Sequence, residues 1–170
     1  MSSPQPGLPE PLSEARFPLS EAVLYIIPSD PCWQPDQAAI SRAVTLVEEL
    51  CPDPLGPIEV EQSDLPQFIN GAGLESLSCP RCGTQLDFQG WWMARMEEVY
   101  QGSSVSSLAV TTPCCDTNTA LNDLVHDVPS GFSRFGITVW SPNRGMLSDD
   151  KLARIGDALG QPVRQIWSRI

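Results

Sequence analysis

A chain of 170 residues with 41% hydrophobic residues has the size of one ordinary domain and can bury a real core. Its 21 carboxylates face ten cations, nine arginines and Lys151, and the only histidine is His126, giving a formal net charge of −11. That balance repels phosphate backbones and anionic lipid, so it argues against nucleic-acid and membrane partners and for a basic protein partner.

No apolar run approaches the roughly 20 residues that span a bilayer. The opening MSSPQPGLPEPLSEARFPLS has neither the basic nor the apolar region of a signal peptide. The expected compartment is the cytoplasm, where thiols stay reduced. Six cysteines then point to metal or free thiols rather than to a disulfide framework.

Residues 1–19 read as a proline-rich N-terminal arm, with Leu8, Leu12 and Phe17 available for local packing. Residues 20–170 read as a single α+β domain. Its first element is a continuous β-prone run, Ala22 to Ile27, stopped by Pro28 and suited to a central strand. A helix follows from about Pro35 to Leu50, where Ile40, Ala43, Val44 and Val47 make one apolar stripe and Pro52 forbids extension. Ile58 to Glu61 alternates as a short half-buried strand. Asn70 to Gly73 is too short for a dinucleotide fingerprint and reads as a turn.

From about residue 71 to 130 the pattern changes to cysteine pairs and glycine–serine punctuation (Gly90, Gly102, Ser103, Ser104), an insertion organised by metal. Within it, Trp91 to Tyr100 predicts an amphipathic helix and Ser107 to Thr111 a strand. The regular pattern resumes at Phe132. Phe135, Ile137 and Val139 alternate with Arg134, Thr138 and Trp140, a strand with two distinct faces. Ser148 is the expected N-cap of a last helix, with Asp149 and Asp150 favourably placed against its dipole. Leu152, Ile155 and Leu159 form its buried stripe, Gly160 its C-cap, and residues 162–170 read as a closing strand. Without the insertion the order is strand–helix–strand twice, which predicts a ferredoxin-like antiparallel sheet with helices on one face.

The strongest motif is Cys79-Pro80-Arg81-Cys82-Gly83, the form of a zinc knuckle. Two residues between thiolates let both sulfurs reach one ion at about 2.3 Å. Gly83 permits the positive-φ turn that aims backbone N–H groups at them. The second half is Pro113-Cys114-Cys115-Asp116, so the expected ligands of a structural zinc ion are Cys79, Cys82, Cys114 and Cys115, arranged as in a zinc ribbon. Adjacent cysteines point to opposite faces of an extended strand, so a turn after Pro113 is needed to bring both to the ion. Cys32, Cys51, Asp116 and His126 stand as alternative fourth ligands, a vicinal Cys114–Cys115 disulfide as a further alternative, and Cys32 and Cys51 otherwise as core residues or bystanders. With few long apolar runs in the insertion, ligation is expected to supply its folding free energy, so that a chelator unfolds residues of about 75–120.

Catalytic patterns are missing. There is no GxxxxGK[ST] phosphate loop, no GxSxG elbow, and no H-x-E ahead of the P-C-x-x-C motif as a zinc deaminase requires. A catalytic zinc with an open position and Asp123, Asp127 or Glu97 as base can be drawn, but four thiolates and a surface histidine are the plainer reading. Trp91, Trp92, Phe88 and Tyr100 are expected to form a small core over the metal hairpins. No catalytic and no organic-cofactor residues are assigned. Glu48-Glu49, Glu97-Glu98 and Asp149-Asp150 read as solvated helix faces or dipole partners.

The series CPxCG (Cys79–Gly83), Trp91-Trp92, Pro113–Cys115, LNDL (Leu121–Leu124) and GFxRF (Gly131–Phe135) resembles a group of small bacterial zinc-ribbon-containing proteins of unestablished activity, over residues 75–170. Some of them carry a sugar-transporter ATPase label, which a chain without a phosphate loop does not support. The resemblance implies a bacterial source and a fold, and transfers no catalytic residue. The expectation for function is an acidic protein-binding module, in its most specific form an immunity protein that neutralises a basic toxin. The alternative is a zinc-dependent enzyme acting on a small molecule.

Overall fold

The computed structural model describes residues 22–101 and 108–169. The proline-rich arm, the Gly102–Ser104 punctuation and the Ser107 end of the expected strand lie outside the described residues.

Strand β1, Ala22–Pro28, is followed by helix α1, Gln37–Leu50, and strand β2, Ile58–Ile69. The insertion then supplies β3 (Leu77–Ser78), a π-helical turn (Phe88–Trp92), α2 (Met93–Tyr100), β4 (Ala109–Thr111), β5 (Asn118–Ala120), a 3-10 turn (Leu121–Asp123) and β6 (Val125–His126). The chain closes with β7 (Gly131–Trp140), α3 (Asp149–Leu159) and β8 (Val163–Arg169). The main sheet has the order β2-β7-β1-β8 with every pair antiparallel. Each helix therefore crosses over one strand to connect two parallel neighbours-but-one: α1 joins β1 to β2, and α3 joins β7 to β8. The protein is a mixed α/β structure with an antiparallel sheet and packed helices, as the alternation of elements predicted at that level.

Period-2 burial explains why the strands sit as they do. Leu24 and Ile26 of β1 face the same way as Ile137 and Val139 of β7, with which they are in register, and the same core holds Ile40, Ala43 and Val47 of α1 and Ile155 and Leu159 of α3. Both helices thus cover one face of the sheet. The helix expected from about Pro35, with that proline suited to its first turn, begins at Gln37. Asp36 is the N-cap, its carboxylate accepting from the Ala39 N–H at 2.7 Å, so Pro35 precedes the cap rather than occupying the first turn. Ser148 does stand at the N-cap of α3, and Gly160 ends that helix in the left-handed conformation (φ +90°).

Two lengths differ from expectation. β2 runs to Ile69 because a register shift between Gln62 and Gln67 absorbs the stretch where alternation fails, Pro66 included. An edge strand tolerates both a bulge and a proline. The helix expected over Trp91 to Tyr100 begins as a π-helical turn. The Asp87 carboxylate accepts from the Gly90 N–H at 3.0 Å and the turn widens before α2 takes over at Met93.

The insertion also has a core of its own, which corrects the expectation that ligation must stand in for one. Leu77, Leu86, Trp92, Met96, Val99, Leu108, Leu121, Leu124 and Phe132 are buried together with Cys79. Phe132 belongs to β7, so this second core is anchored on the main sheet at the end where the insertion leaves it. Trp92 packs edge-on against Phe68 of β2 at 5.4 Å, and Phe68 meets Phe132 at 4.9 Å. Trp91 and Phe88 are half-buried beside them, while Tyr100 is exposed and contributes nothing to the aromatic core expected of it.

Candidate metal centre

Each cysteine pair sits in a tight turn between two short paired segments. The first turn is closed by Cys79 N–H donating to Thr84 O at 2.9 Å and Gly83 N–H donating to Cys79 O at 3.0 Å. Gly83 takes φ +74°, a region that a Cβ would penalise. The second turn is closed by Thr112 N–H donating to Thr117 O at 2.9 Å and Asp116 N–H donating to Thr112 O at 3.0 Å. Asp116 adopts φ +52°, which its short polar side chain tolerates. The turn after Pro113 that the adjacent cysteines required is therefore present.

The turns bring all four predicted sulfurs together. Cys79 and Cys115 Sγ are 3.7 Å apart, Cys82 and Cys114 Sγ 3.4 Å, and Cys114 and Cys115 Sγ 3.9 Å. All four ligand atoms lie within 4.8 Å of one another. A tetrahedron with metal–sulfur bonds of about 2.3 Å has edges of about 3.8 Å. The set therefore fits a single tetrahedral ion. A multi-iron cluster would put its irons between the thiolates and spread them further. No disulfide joins Cys114 to Cys115; Cys32 lies on the surface and Cys51 in the main core. Cys51 is thus a core residue and Cys32 a surface bystander, both outside the sulfur group. Asp116 and His126 are likewise outside the sulfur group.

The thiolate form is supported from within the turns. The backbone N–H groups of Cys82 and Arg81 hold the Cys79 thiol down to about 6, and the Thr84 hydroxyl and backbone lower Cys82. Cys114 is pushed up to about 12, first by desolvation and then by its hydrogen bond with the Cys82 sulfur. A divalent ion held at the centre would favour the thiolate form of all four.

Three threonines escaped the sequence reading. Thr84 Oγ1 is 3.2 Å from Cys82 Sγ, Thr117 Oγ1 is 3.1 Å from Cys115 Sγ, and Thr112 Oγ1 is 3.7 Å from both Cys79 and Cys115 Sγ. A threonine two residues after the last cysteine of each pair was the available signal.

Two of the three residues drawn as catalytic bases are engaged elsewhere. Asp127 accepts from the Ser76 N–H at 3.0 Å and the Glu75 N–H at 3.2 Å, and Glu97 accepts from Gln101 Nε2 at 2.9 Å. His126 is not the surface histidine expected. It pairs with Leu77 across β3 and β6, its ring lies 5.8 Å from Trp92 and 6.1 Å from Phe68, and its Nε2 is buried without a partner. Burial lowers its pKa below the ordinary 6.5, and neighbouring Arg164 acts in the same direction. The folded chain thus binds this proton less readily than the unfolded chain. The resulting stability is complete above pH 6.5 and is lost as the pH falls through the lower folded-state value. Denaturation midpoints measured from about pH 7.5 to about pH 5 should fall, and His126→Phe should make that fall shallower. Equal slopes for the two proteins would contradict the assignment.

No helix among the described residues is long and apolar enough to cross a membrane. Comparison of the chain with protein-family models, with curated proteins and with solved structures returns no match.

Proposed function

We propose that this chain is an acidic protein-binding module whose four thiolates hold one structural zinc ion, and that its partner is a basic protein. In the most specific form of this reading it is an immunity protein that neutralises a basic toxin. The observation that carries it is the unneutralised carboxylate surface. Among the described residues one ion pair is present, Arg95 with Glu98 at 2.7 Å. Glu48, Glu49, Asp53, Glu59, Glu61 and Asp64 are all exposed. Where Glu59 and Glu61 are held, the donors are the neutral Trp140 Nε1 and Thr138 Oγ1, so their charge stays available. Such a surface accelerates association with cationic partners through long-range steering.

The zinc assignment draws on thiolate chemistry and tetrahedral spacing, which favour zinc over harder cations. Four thiolates also complete a tetrahedron, which favours a structural role over an open catalytic one. The strand order, with two crossover helices on one face, supports the ferredoxin-like reading of the sheet.

The chain immobilised as bait should retain a basic protein at about 50 mM salt and release most of it at about 500 mM, where the Debye length has shrunk to a few ångströms. Capture of no partner, or of one indifferent to salt, would sink the electrostatic reading.

A further inference from the structure

The two metal-binding turns are copies of one another, but their ligand positions do not correspond. Setting Cys79–Thr84 over Thr112–Thr117 matches the first-to-sixth hydrogen bond (2.9 Å in both) and the fifth-to-first hydrogen bond (3.0 Å in both). It matches the positive φ of the fifth residue, Gly83 and Asp116, and the contact between the fourth sulfur and the sixth hydroxyl, 3.2 and 3.1 Å. Pro80 falls on Pro113 and Cys82 on Cys115. Cys79, however, falls on Thr112, and Cys114 falls on Arg81.

A knuckle sends its first and fourth side chains inward. Thr112 obeys this. It is completely buried, and its hydroxyl sits 3.7 Å from the sulfurs of Cys79 and Cys115, a tetrahedral edge away from each. The third position lies on the outside of the turn, where Arg81 and Cys114 are both exposed. From there Cys114 Sγ still comes within 3.4 Å of Cys82 Sγ.

We infer that Thr112 occupies a true ligand position of the second turn, and that Cys114 supplies the fourth thiolate from the outside of that turn as the exchangeable ligand of the ion. Two features make it exchangeable. Water and reagents reach it, as they also reach Cys82, but Cys82 holds a regular knuckle position with the Thr84 hydroxyl 3.2 Å from its sulfur, whereas Cys114 reaches in from outside the turn. The Thr112 hydroxyl, at the first knuckle position, already lies 3.7 Å from the sulfurs of Cys79 and Cys115 and so borders the same centre. The inference rests on the reading of the four sulfurs as a single-ion site. It identifies Cys114 as the point where soft electrophiles or a competing thiophilic ion first engage the centre.

The test uses the zinc-loaded full chain and three variants, read by zinc affinity in chelator competition, by sulfur count from X-ray absorption, and by iodoacetamide labelling with mass mapping. In the native chain Cys114 should alkylate about tenfold faster than Cys79, Cys82 or Cys115. Cys114→Ser should lower zinc affinity by about 10- to 100-fold or more and leave three sulfurs on the ion. Adding Thr112→Cys to that variant should restore four sulfurs and most of the lost affinity. A double variant that is folded by far-UV circular dichroism yet keeps three sulfurs would overturn the inference, as would uniform labelling of the four cysteines. Thr112→Cys alone removes no thiolate and so does not depend on tolerating a ligand loss. In it Cys114 should become freely reactive while zinc stays bound, and continued protection of Cys114 would also overturn the proposal. A native chain that retains no zinc would fail at an earlier step, contradicting the single-ion reading itself.

Discussion

Cys79→Ser should cost the chain more than about 100-fold in zinc affinity, since even partners outside the ligand set are worth about 10- to 100-fold in such sites. Cys79 is the ligand with the most to lose. It is buried in the insertion core, its thiolate is the one best supported by backbone N–H groups, and its sulfur faces Cys115 across the gap between the turns at 3.7 Å. Serine is shorter, harder and far less acidic, so it replaces neither the reach nor the charge. In the proposed site the two turns are joined through the ion, so its loss should release the second turn and the β4–β5 hairpin first. Hydrogen exchange should rise across residues 109–120, while β3, β6 and α2 stay protected by the insertion's own core. Protection lost together across the whole insertion would mean that the metal, and not the apolar cluster, holds it. Unchanged exchange and unchanged affinity would remove Cys79 from the site.

Phe132→Ala should be the most damaging single change away from the metal, at about 3–5 kcal/mol. Phe132 is fully buried, and it is a residue of β7 whose ring serves the other core. It packs on Phe68 at 4.9 Å and Trp92 at 6.4 Å, and its N–H donates to Asn122 Oδ1 at 2.8 Å. Asn122 is bound in turn by Arg164 Nη2 at 2.8 Å, so the joint between insertion and sheet is polar at one side and aromatic at the other. The resulting cavity lies at that joint. With a domain's total stability at about 5–15 kcal/mol, the loss should show as a large fall in the denaturation midpoint. A change below about 1 kcal/mol would mean that the insertion does not depend on this contact.

The elements most legible in the sequence were those where one period dominates. Phe135, Ile137 and Val139 marked β7, and Leu152, Ile155 and Leu159 with Gly160 marked α3, because each buries one face against a single core. β2 was read at a third of its length because Gln62 to Pro66 breaks the alternation, and only the bulge shows that the strand continues. The four clustered cysteines could be read because ligand chemistry leaves few other uses for CPxCG and PCC. What spacing could not convey was direction. The adjacency of Cys114 and Cys115 looked like a departure from knuckle geometry, whereas the backbone turn is conventional and the ligand alone has moved. His126 was misjudged for a related reason. Its two-residue strand pairs with Leu77, a partner about 50 residues earlier in the chain, and no local pattern records that the ring ends between Phe68 and Trp92.

The central claim is that one ion is held by four thiolates from two separate turns. The direct measurement is metal content together with metal-edge X-ray absorption on the purified full chain. One zinc per chain with four sulfurs at about 2.3 Å is the expected result. A first shell dominated by nitrogen and oxygen, or a folded chain that retains no thiophilic metal, would contradict it.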